Sequence, residues 1–395
     1  MTDTLSQEEE AMVYSSSRKG LALAQDISRN RQEWAKLLKA RGRKIVGYTC
    51  PFAPPELITA SQAVPYRIVG EPAEPITKAD IYMEANLCPW VRNCFDQALK
   101  GRYQWLDGVI MAHSCDAIQR LYGLWCYYCK SAHHYFINVP HTLTPATRQF
   151  YKEELIMLRE NLGELINAEI SDSRLQQAIE LHNKLNSEVK KLYSLRKRAL
   201  PLISGIEMAY LLTAISSIPV EEALSLVRDV RDEVVTREGN TGNLSPEKRG
   251  RVLVYGSIID APSLIELIEG SGVNVVVDDT CIGSRSFWNE VECTSDPVDG
   301  LVTTYFDQFL CPQTVKSSDS KRFGYLVDMA KDFHVDGVIF YCMRFCDPNM
   351  FEIPDVKDLL SAAGIPMLYL EDDYTTGSVA RLKTRIQAFA ELISQ

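Results

Sequence analysis

The sequence DGVIMAHSCD at residues 107–116 contains the pattern on which the fold depends. A short apolar run of the kind that forms a buried parallel strand ends here and is followed at once by Cys115 and an acidic residue. The second half of the chain repeats the pattern at residues 336–347, where DGVIFYCMRFCD leads to Cys346. This repetition predicts two related α/β halves whose strands run into cysteines.

Two further apolar runs also end in cysteine. Residues 44–49 lead to Cys50, and residues 273–280 lead to Cys281. In an open α/β sheet, ligands bind beyond the carboxyl ends of the strands, so we expect these thiols at a ligand-binding edge. Soft sulfur ligands gathered there indicate a buried metal or iron–sulfur centre, although a single cysteine in such a place is also compatible with an ordinary core residue.

Strand and helix patterns alternate in both halves, which predicts parallel sheets. The predicted strands are residues 44–49, 64–69, 107–114, 251–255, 273–279, 335–341 and 366–370. Longer predicted helices cover residues 12–42, 87–99, 148–162, 175–198, 221–235, 262–269, 320–333, 355–363 and 377–394.

The helical patterns after residue 145 separate the two α/β regions, and a polar linker rich in Gly, Asn and Ser follows at 238–246. We therefore predict three domains. They are an N-terminal α/β domain with a helical start (residues 1–144), a helical domain and linker (145–248), and a C-terminal α/β domain (249–395).

The composition excludes several classes of protein. A net charge of -10 over 395 residues argues against nucleic-acid binding, which usually needs a basic face. No apolar run is long enough to span a membrane, and the acidic first ten residues do not resemble a secretory signal. We expect a cytoplasmic protein, in which eleven cysteines would stay reduced rather than form disulfides.

Six cysteines are the candidate ligands of a metal or cluster: Cys50, Cys88, Cys115, Cys281, Cys311 and Cys346. They do not form a compact ferredoxin-type run. A site assembled from distant strand ends can leave one iron open to substrate. His113, beside Cys115, is a candidate catalytic residue that would donate to a bound carbonyl, and a structural role is the alternative.

Several motifs together resemble the iron–sulfur subunits of the 2-hydroxyacyl-CoA dehydratase and benzoyl-CoA reductase superfamily, which includes the double-cubane cluster proteins. The resemblance covers nearly the whole chain after residue 44. The motifs are GYTCPFAPPELI (47–58), LCPWVR (87–92), LDGVI (106–110), SCD (114–116), DDTCIGSR (278–285), FCDP (345–348), and EDDY (371–374) with TRI (384–386).

The resemblance implies two Rossmann-like (flavodoxin-like) parallel-sheet domains plus a helical domain, with a cluster between the two sheets. In the dehydratase branch three cysteines, which correspond to Cys88, Cys115 and Cys346, hold a 4Fe–4S cluster. The double-cubane branch uses six cysteines for an 8Fe–9S cluster. This chain has a cysteine at all six positions, so the resemblance leaves both cluster types open.

The resemblance also implies partners and a reaction. A separate ATP-hydrolysing activator with its own 4Fe–4S cluster delivers a low-potential electron, and the catalytic subunit passes it to an acyl-CoA. Such subunits form a homodimer or a heterodimer with a related subunit. The alternatives are a double-cubane reductase of small molecules and a non-catalytic, cluster-bearing electron-transfer partner subunit.

Overall fold

The computed structural model describes residues 18–129, 133–239, 250–312 and 321–394. Within these ranges the chain forms two four-stranded sheets in which every strand pair is parallel. Helices cover both faces of each sheet, as all-parallel sheets require. The prediction of an α/β fold with two Rossmann-like sheets is confirmed.

The first sheet has the strand order β2-β1-β3-β4. Its strands are β1 (Ile45–Tyr48), β2 (Val64–Arg67), β3 (Gly108–Ala112) and β4 (His133–Ile137). All five residues of β3 are buried, as its continuous apolar sequence predicts for a central strand. The edge strand β4 is only half-buried over most of its length.

The second sheet repeats this topology with the order β6-β5-β7-β8. Its strands are β5 (Gly250–Gly256), β6 (Val273–Asp279), β7 (Gly337–Met343) and β8 (Met367–Asp372). In each sheet the direction of winding reverses between the first and third strands, β1 and β3 or β5 and β7. The carboxyl ends of these strand pairs are therefore the topological switch points at which such folds bind ligands.

Fifteen α-helices lie within the described ranges. They are α1 (Gly20–Arg29), α2 (Arg31–Ala40), α3 (Pro55–Ala60), α4 (Pro89–Leu99), α5 (Asp116–Tyr128), α6 (Pro145–Ile166), α7 (Asp172–Leu195), α8 (Gly205–Ile215), α9 (Val220–Val235), α10 (Pro262–Glu269), α11 (Ser284–Phe287), α12 (Pro297–Val302), α13 (Lys321–Asp332), α14 (Asp347–Ala362) and α15 (Val379–Ile393). A π-helical turn (Thr303–Asp307) follows α12.

The helix starts follow local sequence rules. Proline occupies the first turn of α3, α4, α6, α10, α12 and α14, where a missing N–H costs nothing. Ser171 caps α7 by accepting from the Arg174 amide, and Ser204 forms a capping box with Glu207 at α8. No helix in the described residues is long and apolar enough to cross a membrane.

The predicted single helix over residues 12–42 is interrupted in the described part of that range. Asn30 has φ −117° and ψ 30°, which breaks the helical path between α1 and α2. Asn competes for backbone hydrogen bonds and favours such breaks. Residues 12–17 lie outside the described ranges.

Three hydrophobic cores hold the molecule together. The central core lies between the sheets and combines residues such as Met111 of β3 with Val254 of β5 and Ile339 of β7. A second core joins the other face of the second sheet to α1, α7, α8 and α9. A third joins the other face of the first sheet to α3, α6, α7 and α12. The domain boundaries at residues 144 and 248 stay predictions.

Candidate functional site

Three of the predicted ligands share one local structure. Cys88, Cys115 and Cys346 each occupy the N-cap position of a helix, namely α4, α5 and α14. None of the three sulfurs makes a side-chain capping hydrogen bond, but first-turn amides, those of Val91, Ile118 and Asn349 among them, act to lower the pKa of these thiols against the effect of burial. The positive end of a helix stabilises an anion and therefore offsets part of the cost of burying a thiolate at each of these positions.

These three cysteines lie close to one another across the two halves. Burial raises the pKa of Cys88 well above its usual value, and the charges of Cys346 and Cys115 raise it further. Burial also raises the pKa of Cys115 to about 12, and the charge of Cys346 adds to this effect. Such mutual effects require neighbouring sulfurs. Cys88 and Cys115 belong to the first half, and Cys346 follows β7 of the second half. The site therefore lies between the sheets.

Polar groups lie near the sulfur of Cys346. The neighbouring Cys342 is the chief cause that lowers the pKa of Cys346, and the Cys342 thiol itself donates to the Met343 carbonyl at 3.4 Å. Ser257 also acts to lower the pKa of Cys346, and the Asn349 amide nitrogen lies 3.2 Å from the sulfur. Cys342 is itself fully buried in β7. The choice of Cys346 over Cys342 as the ligand stays a prediction.

Cys50 and Cys281 extend the group of thiols. Cys50 is only 6% exposed; burial raises its pKa, the Arg67 cation lowers it, and the charge of Cys281 raises it again. The charge of Cys50 in turn raises the pKa of Cys115. Arg285 Nη1 lies 3.7 Å from the sulfur of Cys281. Five of the six predicted cysteines thus form one electrostatically connected group.

Cys311 is positioned by packing contacts rather than by the electrostatic effects that connect the other five cysteines. It packs against the hydrophobic cluster that contains Cys50 and Phe52. The rings of Phe52 and Phe309 meet edge to face at 5.1 Å. The Tyr305 hydroxyl donates to both Glu56 carboxylate oxygens, at 2.9 and 3.0 Å. These contacts hold the segment before Cys311 against the loop that carries Cys50.

The donor chemistry of the group fits a sulfur-ligated cluster. The candidate atoms are soft thiols, buried or half-buried, and the side chains of Asn349 and Arg285 are aimed at two of them. Among the described residues, no three His, Cys, Asp or Glu side chains are arranged to hold a single metal ion. The thiols are therefore neighbours without forming a compact single-ion cage.

His113 lies on the loop between β3 and α5, two residues before Cys115. Its backbone N–H donates to the Ile137 carbonyl at 2.9 Å. Its half-buried ring lies 5.7 Å from Phe136 and 5.3 Å from His141. Burial, and then the charge of His141, lower the pKa of His113, which favours the neutral ring. Its catalytic role stays a prediction.

Sequence reasoning missed a buried acid that joins the two halves. Asp260 follows β5 and is 6% exposed. It accepts hydrogen bonds from the Gly70 amide at 2.9 Å, the Trp90 indole at 2.6 Å and the Tyr374 hydroxyl at 2.9 Å. Burial raises the pKa of Asp260. Because Trp90 lies in the first turn after Cys88, this acid fixes the start of α4 against the second half.

Arg285 closes the DDTCIGSR motif, and its partner is not evident from the sequence. Its Nε donates to Asp279 at 2.9 Å, and both side chains are almost fully buried. The Tyr325 hydroxyl donates to the other Asp279 oxygen at 2.6 Å. The guanidinium near Cys281 is thus a compensated charge. No spacing rule in the sequence identifies such a pair, because its members are defined by burial.

A cavity of about 400 Å³ lies over the carboxyl ends of β5, β7 and β8. Its wall includes apolar residues such as Ile259, Leu264 and Leu382, together with Asp260 and Asp372. The Tyr341 hydroxyl donates to Asp372 at 2.7 Å. An apolar cavity with a few polar groups at a strand edge is typical of a small-molecule site.

Comparisons with known proteins agree with these observations. A family model described as "2-hydroxyglutaryl-CoA dehydratase, D-component" matches residues 50–393. The (R)-phenyllactyl-CoA dehydratase beta subunit of Clostridium sporogenes is 26% identical over 370 residues, which cover 93% of this chain and 97% of that protein. A benzoyl-CoA reductase subunit of Thauera aromatica is 27% identical over 360 residues, which cover 89% of this chain and 91% of that protein.

A third relative is the putative dehydratase subunit YjiM of Escherichia coli (strain K12). It is 28% identical over 364 residues, which cover 90% of this chain and 93% of that protein. These relatives are named as subunits of dehydratases and of a reductase, so the expected enzyme component is confirmed. With the family match extending over most of its length, the chain belongs to the 2-hydroxyglutaryl-CoA dehydratase D-component family.

Proposed function

We propose that this chain is the iron–sulfur subunit of a low-potential reductase or dehydratase that acts on an acyl-CoA. The observation that carries the proposal is the convergence of Cys88, Cys115 and Cys346, each at the start of a helix, from both halves of the molecule. The substrate class follows from relatives named as acyl-CoA dehydratases and a benzoyl-CoA reductase. We further propose a separate ATP-hydrolysing activator and a related or identical partner subunit.

The bound cluster would supply one-electron transfer at low potential. The three N-cap cysteines would hold it, and the helix amides and Asn349 would orient and stabilise their sulfurs. Trp90 and Met343, both buried, help to exclude water from this region. His113, neutral and half-buried, would hold a proton for the carbonyl of a thioester near Cys115. The cavity beside Asp260 and Tyr374 would receive part of the substrate.

The deciding experiment counts iron and sulfide in the anaerobically purified chain and records its EPR spectrum. We expect about four irons per chain if one cubane is bound, and an EPR signal on reduction. Replacement of Cys88, Cys115 or Cys346 by Ser should abolish or strongly reduce iron binding. Cys94→Ala is the matched control, because Cys94 is also buried and lies in the helix that Cys88 caps; this variant should retain the metal.

The same experiment tests the substrate class. Addition of aromatic and 2-hydroxy acyl-CoA thioesters should change the EPR signal of the reduced protein. A cluster that no thioester perturbs would favour a non-catalytic electron-transfer subunit. A purified chain without iron would contradict the whole proposal.

A second candidate, a double-cubane reductase of small molecules, is favoured by the nearness of Cys50 and Cys281. It requires Cys50, Cys281 and Cys311 to bind metal in addition to the N-cap cysteines. About eight irons per chain, falling in Cys50→Ala, Cys281→Ala and Cys311→Ala, would establish it. Unchanged iron in these three variants would remove it.

A further inference from the structure

Four arginines are almost fully buried among the described residues, and they fall into two pairs. Arg196 and Arg285 each have a carboxylate partner, Asp278 at 3.9 Å and Asp279 at 2.9 Å. Arg31 and Arg67 have no carboxylate within 4.0 Å in the described part of the chain. A buried charge without a counter-charge is costly, so these two cations call for an explanation.

Arg67 lies at the end of β2 and is only 2% exposed. It is paired in register with Tyr48 at the end of β1, and its guanidinium lies 5.3 Å from the centre of the Tyr48 ring. Cys50 comes two residues after Tyr48. The cation therefore lies at the carboxyl edge of the first sheet, next to the loop that carries a candidate ligand.

The backbone of Arg67 is fixed from both sides. Its N–H donates to the Ser216 carbonyl at 2.8 Å, and its carbonyl accepts from Arg31 Nη2 at 2.7 Å. The side-chain Nε has no hydrogen-bond partner among the described residues. The position is thus rigid, while no carboxylate among the described residues lies within 4.0 Å to balance the charge.

Nearby acids do not provide the missing negative charge. Glu56 lies on the Tyr48 side, but burial raises its pKa to about 7 and the Tyr305 hydroxyl already donates to both oxygens. Asp260 lies on the side of Cys94, and it is occupied by Gly70, Trp90 and Tyr374. The Arg67 charge acts on the phenol of Tyr48, whose ring it faces, and on the thiols of Cys50 and Cys94.

We infer that Arg67 is a positioning residue whose charge balances the anionic cluster and raises its reduction potential. The inference rests on the proposed function, since it requires a cluster at the cysteine site. Reduction adds one negative charge to the cluster, and a fixed cation in a buried site stabilises that form. Arg67 makes and breaks no bond in this step, and the electron comes from the external donor.

The test is an EPR-monitored redox titration of the reconstituted full chain, with dithionite as the reductant. Arg67→Met should shift the reduction equilibrium about tenfold towards the oxidised form, a decrease of about 59 mV for one electron. Arg67→Lys retains the charge and should stay near the native potential. Lys39→Met removes a cation from the opposite, amino end of the same sheet, where Lys39 pairs with Asp107 at 2.7 Å, and should leave the potential unchanged.

Iron per chain is measured for every variant. If Arg67→Met does not load while Arg67→Lys loads fully, the charge is needed for the anionic cluster and the inference holds. Native potential in a fully loaded Arg67→Met overturns it, as does an Arg67→Lys variant that behaves like Arg67→Met. Arg31→Met is a second test variant, and it should lower the reduction potential of the cluster by less than Arg67→Met does. Absence of iron from the native chain would instead contradict the proposed function.

Discussion

At the scale of single residues, burial controls the chemistry of the ionisable groups near the cysteines. Glu56 shows this most directly, because it is 1% exposed and lies in the motif that follows Cys50. Burial raises its pKa to about 7 from an ordinary value of 4.5. The folded protein therefore holds a proton between these two pH values that the unfolded chain has already released.

The raised pKa of Glu56 predicts a pH-dependent stability. Because the folded state binds the extra proton, its free energy of unfolding should fall by about 3 kcal/mol as the pH rises from about 4.5 to 7 and then stay level. Glu56→Gln retains an oxygen that accepts from Tyr305 and carries no titrating proton, so this part of the decrease should vanish. Denaturant unfolding of both proteins at about pH 5 and pH 8 measures the difference. Parallel pH profiles would show that Glu56 does not titrate in this range.

The sequence predicts the candidate sulfur ligands but not the groups that surround them. Cysteines at strand ends can be found in the sequence because the strand ends themselves can be predicted from the apolar pattern. Asp260 and Arg67 carry no such pattern: each is a charged residue next to a strand, and only the fold reveals that it is buried. Arg285 lay inside a recognised motif, yet its pairing with Asp279 depends on the turn that leads into α11.

At the scale of elements, the starts of α4, α5 and α14 define the site. Each helix begins directly after a cysteine, so movement of a helix start would move a sulfur. The start of α4 is held from the other half of the molecule, because the Trp90 indole donates to Asp260. Tyr374, from the loop after β8, donates to the same acid.

This arrangement predicts different consequences for two similar substitutions. Trp90→Phe and Tyr374→Phe each remove one donor to a buried carboxylate and should destabilise the fold by about 1–3 kcal/mol. Only Trp90→Phe also releases the first turn after Cys88, so only this variant should lose iron faster in the presence of a chelator. Thermal unfolding and chelation kinetics measure the two effects. Equal rates of iron loss in both variants would contradict a specific role for the α4 start.

Seven of the eight strands were predicted from apolar runs, and β4 was not. Its sequence HHYFI begins with two histidines, and its edge position leaves most of its residues half-buried. An edge strand needs no continuous apolar pattern, so periodicity gives no signal there. Asp372 illustrates another limit: it ends β8 and accepts from Tyr341 and Ser378, which no local rule predicts.

At the scale of the whole molecule, segments distant in sequence complete each other's cores. Helix α1 packs on α8 and α9, which lie nearly two hundred residues later in the chain. Leu21 donates through its backbone N–H to Glu233, and Arg29 donates to the Tyr210 hydroxyl at 3.1 Å. The N-terminal segment, although it precedes the residues matched by the family model, is thus part of the second core.

This packing predicts a large effect of a small change in α1. Ile27 is 2% exposed in the second core, so Ile27→Ala should lower the free energy of unfolding by about 2–4 kcal/mol. Gln25→Ala, at a half-buried position of the same helix, should change it by less than about 0.5 kcal/mol. Denaturant unfolding of the two variants measures the contrast. Equal stabilities would mean that α1 is dispensable for the fold.

The identical strand order of the two sheets has a consequence for the origin of the site. Cys115 and Cys346 both follow the third strand of their sheet, and Cys88 and Cys281 both lie between the second strand and the next helix. Cys50 lies two residues after the first strand of its sheet, and the residue two after β5 in the second half is Ile258. These equivalences are those expected of two copies of a half-length ancestor. Such an ancestor would have assembled a symmetric thiol site by pairing with itself, and Cys50 is a thiol without a counterpart in the second half.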